Sequence, residues 1–206
     1  QNVLAPWGVI GVPVRAGDTA AIAQAITTTP NVAIVLIETP ANPTMTMTDI
    51  AGAAACARNL DRRPLVMVDN TLLGPIFQHP FAHDADVVLY SATKYLSGYS
   101  DLIGGVALMR DESVTKPIRS LRGLFGTILQ PDECWILNSR LPMVALRMKQ
   151  ATENARSIVA ALAQHPKIAR VHYPTLFTHT DQSRIRDAQC AAPGALFSFE
   201  LVGGKR

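Results

Sequence analysis

Ser91, Thr93 and Lys94 follow directly on the apolar run Val87-Val88-Leu89-Tyr90. The run is short and apolar at every position, so it reads as a buried strand. Gly98, Gly104 and Gly105 come soon after, leaving the following chain bent and free of bulk. In an α/β domain, ligands bind at the carboxyl ends of the strands, where this one delivers two hydroxyls and an amine. Hydroxyls hold phosphate, and a lysine freed of its proton is a nucleophile for carbonyls. The pair points to a phosphate-bearing aldehyde, which means pyridoxal phosphate (PLP). A lysine after a strand is far more often a solvated loop residue. Here there are only five lysines, Lys94, Lys116, Lys149, Lys167 and Lys205, and Lys94 alone lies between an apolar strand and a glycine-bearing turn.

PLP asks few things of a protein. Lys94 is the amine. A carboxylate must keep the pyridine nitrogen protonated, and Asp69 ends the preceding strand at the same sheet edge. Ser91 and Thr93 are the phosphate ligands. Asn42, held between Pro40 and Pro43, is the donor to the ring hydroxyl, and Thr71 lines the ring face. Singly, each of these is an ordinary cap, turn or loop residue; the case lies in their convergence. Tyr95 and Tyr99 read as packing residues.

The elements that position them can be read in order. Val9–Val14 is a β-rich run. Asp18 or Thr19 caps a helix to Thr28, and Pro30-Asn31 breaks it. Val32–Ile37 is apolar throughout and reads as a buried parallel strand ending in Glu38. A rigid loop, Thr39 to Thr44, carries Asn42. Thr48-Asp49 opens an alanine-rich helix to Asn59, and Leu65–Val68 is a strand ending in Asp69. A loop and short helix carry Phe77 and Phe81. Gly104–Met109 is a fourth strand. The connection from Ser91 to it has no helical pattern, so an antiparallel pairing is expected. Strand–helix alternation means right-handed crossovers and a mainly parallel sheet flanked by helices. Residues 117–140 are less regular, with a helix opening at Pro131-Asp132-Glu133 and interrupted near Pro142. Strands follow at Val171–Tyr173 and Ala195–Val202. The expected division is a large cofactor-binding domain over 1–140 and the start of a smaller α+β domain over 141–206.

Bulk properties exclude several classes. The 206 residues are 48% hydrophobic and 17% charged, enough for a sizeable core. The net charge of +3 is scattered, with no basic block for nucleic acid or a membrane surface. No apolar run approaches the length of a membrane span, and no signal peptide opens the chain. Cys56, Cys134 and Cys190 are odd in number and widely spaced, which fits a reducing, cytoplasmic compartment; Cys56 reads as a small buried hydrophobe. His79 and His83 lack the company that metal ligation needs, so no metal site is expected. No Gly-x-Gly-x-x-Gly follows a strand, which disfavours a dinucleotide-binding domain. The absence of an initiator Met and a last strand running to the terminus lead us to expect an internal stretch of a longer protein.

Three blocks together resemble a known family: Glu38-Thr39-Pro40-Ala41-Asn42-Pro43, Val68-Asp69-Asn70-Thr71 and Ser91-Ala92-Thr93-Lys94-Tyr95-Leu96-Ser97-Gly98. In order and spacing they are similar to the signature blocks of the Cys/Met-metabolism PLP enzymes, which include cystathionine γ-synthase, cystathionine γ-lyase, methionine γ-lyase and O-acetylhomoserine sulfhydrylase. Arg122-Gly123, Asn154-Ala155 and Phe199-Glu200-Leu201 resemble later family positions. The resemblance implies the aspartate-aminotransferase-like fold (fold type I) and a homotetramer of tight dimers. It implies that Lys94 forms the Schiff base and then shuttles protons. Asp69 would pair with the pyridine nitrogen, Ser91 and Thr93 would hold the phosphate, and Asn42 would face the ring hydroxyl. Asp101, after Tyr99-Ser100, is read as structural. The family's ring-stacking tyrosine, its glycine-led phosphate loop and the tyrosine and arginine it lends to a neighbouring subunit are expected ahead of Gln1. Its substrate-carboxylate arginine is expected beyond Arg206. These 206 residues alone are therefore expected to retain PLP weakly and turn over little.

The implied reaction acts at the γ-carbon of a sulfur amino acid or an O-acyl-homoserine. Lys94 takes the α-proton, the ring holds the carbanion, and a second proton loss at Cβ expels the γ-substituent; elimination then gives a 2-oxo acid and ammonia, and addition of a thiol gives a thioether instead. The alternative is a truncated or degenerate homologue serving as a non-catalytic oligomerisation module.

Overall fold

The structure, a computed structural model, describes residues 4–178 and 180–204. Helix α1 spans Thr19–Thr28, and the Asp18 carboxylate accepts the Ala21 N–H at 2.9 Å to start it. Strand β1 spans Ile34–Glu38. Helix α2 spans Ile50–Arg58, opened in the same way by Asp49 and the Gly52 N–H at 2.9 Å. Strand β2 (Leu65–Asp69), a 3-10 turn (Pro80–His83), strand β3 (Val87–Ser91), a single π-helical turn (Ala92–Leu96) and strand β4 (Gly105–Met109) follow. The sheet order is β1-β2-β3-β4. β1, β2 and β3 are parallel, and β4 returns antiparallel to β3, as the sequence predicts.

The two faces of this sheet differ. Ile37, Val66 and Val68 pack on Ile26 of α1 and on Ile50, Ala53, Ala54 and Ala57 of α2. The alanines let α2 lie close to the strands. Each fully buried valine contributes about 1.5–3 kcal/mol relative to exposure. The opposite face is open at β1: Ile34 is 54% and Leu36 67% exposed. This corrects the expectation of a strand buried on both sides. Alternate residues of a strand face opposite ways, and α1 and α2 cover only one of the two.

After β4 come α3 (Glu112–Phe125), α4 (Pro131–Arg140), a 3-10 turn (Leu141–Met143), α5 (Val144–Leu162), β5 (Ile168–His172), α6 (Thr180–Gln189) and β6 (Ser198–Leu201). β5 and β6 form a separate antiparallel pair. The break at Pro142 is as expected. Helices α3 and α6 were not foreseen, and Val9–Val14 is an exposed irregular segment rather than a strand. That run joins no sheet among the described residues, so its composition alone does not make it β. Phe77 is buried just ahead of the 3-10 turn that holds Phe81.

Helix α5 serves two clusters. Val144 and Met148 pack with Tyr90, Leu96 and Leu102 beneath the lysine turn. About two and three turns further on, Ala155 and Val159 pack with Val171 and Tyr173 beside the small sheet. Helix α6 is fastened to the loop after β1 by two glutamines on one face. Gln182 accepts the Met47 N–H (2.7 Å) and donates to the Met47 carbonyl (2.9 Å). Gln189 accepts the Ile50 N–H (3.3 Å) and donates to the Thr48 carbonyl (3.0 Å).

Candidate active site

The carboxyl ends of β1, β2 and β3 meet at one edge. Parallel register sets Glu38 beside Asp69 and Asp69 beside Leu89. Paired residues of parallel strands share a face, so both carboxylates lie at the edge of the open side. Desolvation pushes the Glu38 carboxyl above its ordinary range; a hydrogen bond from the Asn42 backbone opposes this, and the Asp69 charge adds to it. Asn42 therefore sits within one contact of the carboxylate pair, with its side chain exposed.

The Asp69 Oδ1 atom accepts the Thr71 N–H at 3.0 Å, a tight turn that leaves Oδ2 without a hydrogen bond among the described residues. Thr71 in turn accepts the Ser91 N–H on its hydroxyl at 2.8 Å. The loop after β2 is thus tied to the last residue of β3. The intervening Asn70 is fully buried; its amide donates to the Gln78 carbonyl (2.9 Å) and the Tyr90 hydroxyl (3.2 Å). One side of this edge is therefore locked polar core, and the other is available to a ligand.

Lys94 occupies the π-turn with φ −87° and ψ −115°, outside the helical range of its neighbours. The Lys94 side chain is exposed and makes no hydrogen bond or ion pair among the described residues; the Ser91 hydroxyl likewise makes none. Thr93 is already engaged: its hydroxyl accepts the Gly104 N–H at 3.0 Å and reaches the Gly104 carbonyl at 3.4 Å. That second contact is long, so the hydroxyl proton is readily given to a stronger acceptor such as phosphate.

The structure thus brings Asp69, Thr71, Ser91, Thr93 and Lys94 onto one continuous set of turns, with Asn42 joined to them through Glu38. The donor set fits PLP. It offers one unpaired amine, one unpaired carboxylate oxygen, and hydroxyls beside the amine. Two participants were missed in the sequence. Glu38 was seen as a strand end but given no role, although adjacent strand ends are a readable signal. Arg147 of α5 donates to the carbonyls of Tyr95 (2.7 Å) and Leu96 (3.0 Å), and no local signal marks it. Tyr95 is half-buried in the core, as expected, whereas Tyr99 is 63% exposed and lies against the guanidiniums of Arg140 and Arg147. Asp101 is structural, held by Arg140 through two bonds of 2.6 and 2.7 Å.

Comparison with known proteins identifies the family. The family model described as Cys/Met metabolism PLP-dependent enzyme matches residues 1–206. Cystathionine beta-lyase MetC of Bacillus subtilis is 34% identical over 97% of this chain and 50% of its own length. Cystathionine gamma-synthase of Mycobacterium tuberculosis is 35% identical over 100% of this chain and 52% of its own. The crystal structure of apo CalE6, a methionine gamma lyase from Micromonospora echinospora, superposes with a TM-score of 0.93 at 35% identity, covering 98% of this chain and 55% of that one. The chain spans about half the length of the curated relatives it matches. Its mixed, mainly parallel sheet flanked by helices is that of fold type I. The chain belongs to the Cys/Met metabolism PLP-dependent enzymes.

Proposed function

We propose that the protein carrying this chain is a PLP-dependent trans-sulfuration enzyme. It acts at the γ-carbon of a sulfur amino acid or an O-acyl-homoserine, by carbon–sulfur elimination or by γ-replacement. The observation that carries this reading is the bolted edge itself: Asp69, Thr71 and Ser91 joined in sequence by hydrogen bonds, with Lys94 in the kinked turn that follows.

When bound, PLP supplies a carbonyl for amines and an electron sink for a carbanion. Lys94 would be the amine that holds the cofactor and, when free, the base for the α-proton. Asp69, whose Oδ1 is engaged by the Thr71 N–H, would keep the pyridine nitrogen protonated. The Ser91 and Thr93 hydroxyls would hold the phosphate. The Asn42 side chain would donate to the ring hydroxyl, and Thr71 would border the ring face.

Relatives named as a gamma-synthase and a methionine gamma lyase support γ-chemistry. The relative named as a beta-lyase favours a second reading, elimination at the β-carbon. We assign residues 1–140 to the cofactor-binding domain and 141–206 to the smaller α+β domain; the separate antiparallel pair of β5 and β6 supports that division. The exposed Ile118, Leu121, Leu124 and Phe125 of α3 are apolar surface consistent with assembly into a homotetramer, a dimer of dimers. Three unpaired cysteines support a reducing, cytoplasmic setting. Among the described residues no helix is long and apolar enough to cross a membrane.

The test is a product assay on the full protein with PLP, measuring 2-oxo acid and ammonia from cystathionine and methionine, and thioether formation from O-acyl-homoserine and cysteine. Pyruvate rather than 2-oxobutanoate from cystathionine would favour the β-reading. No product from any of these would favour a non-catalytic module.

A further inference from the structure

The carbonyls of the lysine turn can be accounted for one by one. Ala92 O accepts the Ser97 N–H (2.9 Å), and Thr93 O accepts the Ser97 hydroxyl (3.1 Å). Lys94 O accepts the Gly98 N–H (2.8 Å). Tyr95 O and Leu96 O have no donor of this kind. Both are met by the fork of Arg147, from a helix that begins well past β4. A guanidinium presents parallel N–H groups in one plane, so one side chain can satisfy two successive carbonyls. Its Nε is buried and has no partner among the described residues.

Gly98 completes the arrangement. It stands at φ +80°, and a Cβ there would overlap the Arg147 guanidinium. Glycine is therefore needed twice, for the backbone angle and for the approach of the arginine.

We propose that Arg147 is a positioning residue for Lys94. By holding the two carbonyls that follow it, Arg147 keeps Lys94 in its non-helical conformation and so fixes where the amine emerges from the sheet edge. This rests on the reading that Lys94 carries PLP. Without Arg147 the turn is free to rewind toward a regular helix, rotating the amine away from the strand ends.

The experiment uses the full protein as wild type, Arg147→Met, Arg147→Lys and Gly98→Ala. It measures hydrogen exchange at residues 92–98 without cofactor, the rate at which added PLP becomes borohydride-trappable at residue 94, and the thermal midpoint. Arg147→Met and Gly98→Ala are expected to lose protection at the Ser97 and Gly98 amides and to attach PLP roughly tenfold to a hundredfold more slowly. Arg147→Lys, which keeps the charge but not the fork, falls between. A lowered thermal midpoint with unchanged exchange and unchanged attachment in the variants would overturn the proposal and leave Arg147 a packing residue. Wild type that attaches no PLP at residue 94 would overturn the reading of Lys94, and this proposal with it.

Discussion

The Thr71 hydroxyl accepts the backbone N–H of Ser91 at 2.8 Å, so a residue expected to line the ring face also ties the strand of Asp69 to the strand of Lys94. Replacing Thr71 by Val leaves that part-buried N–H unsatisfied, a cost of about 1–3 kcal/mol, whereas Ser keeps the acceptor. Denaturant unfolding should show Val destabilised and Ser close to wild type. PLP affinity should follow the same order. Equal stability of the two variants would show that the bond carries little.

The Glu38 carboxyl contributes a pH dependence of known sign. Its value is raised, so the folded chain holds the proton more tightly than the unfolded chain does. Stability from this group is fully present below the ordinary value of 4.5 and is lost as pH rises through the raised value. Glu38→Gln, which keeps an acceptor for the Asn42 N–H, should therefore be more stable than wild type at pH 7. The gain should stay below about 1 kcal/mol because solvent screens the site. Unfolding curves at pH 4 and pH 7 should show the difference only at the higher pH.

Tyr173 is fully buried, and its hydroxyl donates to the Gly194 carbonyl at 2.7 Å. Burial pushes its pKa to about 12, so it remains a donor throughout the working range. Tyr173→Phe keeps the ring in place but strands the carbonyl, which should lower stability by about 1–3 kcal/mol. The thermal midpoint should fall without a change in the pH profile between pH 6 and 9.

The three cysteines should separate by reactivity. Burial pushes the Cys190 thiol up to about 12, and it donates to Gln78 Oε1 at 3.1 Å. Cys134 is exposed. A thiol reagent at pH 8 should label Cys134 first and Cys190 only on unfolding. Rapid labelling of Cys190 in the native state would mean that α6 opens from the loop after β1.

Asp69, Ser91 and Lys94 were legible because each ends or follows an apolar run, and the ends of parallel strands meet at one edge. The bond between Thr71 and Ser91 was not legible, since it depends on a register that composition does not encode. Gln182 and Arg147 reach loops 135 and 51–52 residues away, and such pairings leave no local trace. Helix α3 was obscured by Pro117, which reads as a breaker. Its signal was nonetheless present in the Asp111 cap and the helical spacing of Val114, Ile118, Leu121 and Phe125. The open face of β1 was misjudged because an all-apolar run does not say which side the helices cover.

The central claim is tested most directly by reducing the PLP-loaded full protein with borohydride and mapping the labelled peptide. Cofactor fixed to Lys94 in wild type, and none fixed in Lys94→Ala, is the predicted result. Label on a different lysine, or equal labelling of the alanine variant, would contradict the account.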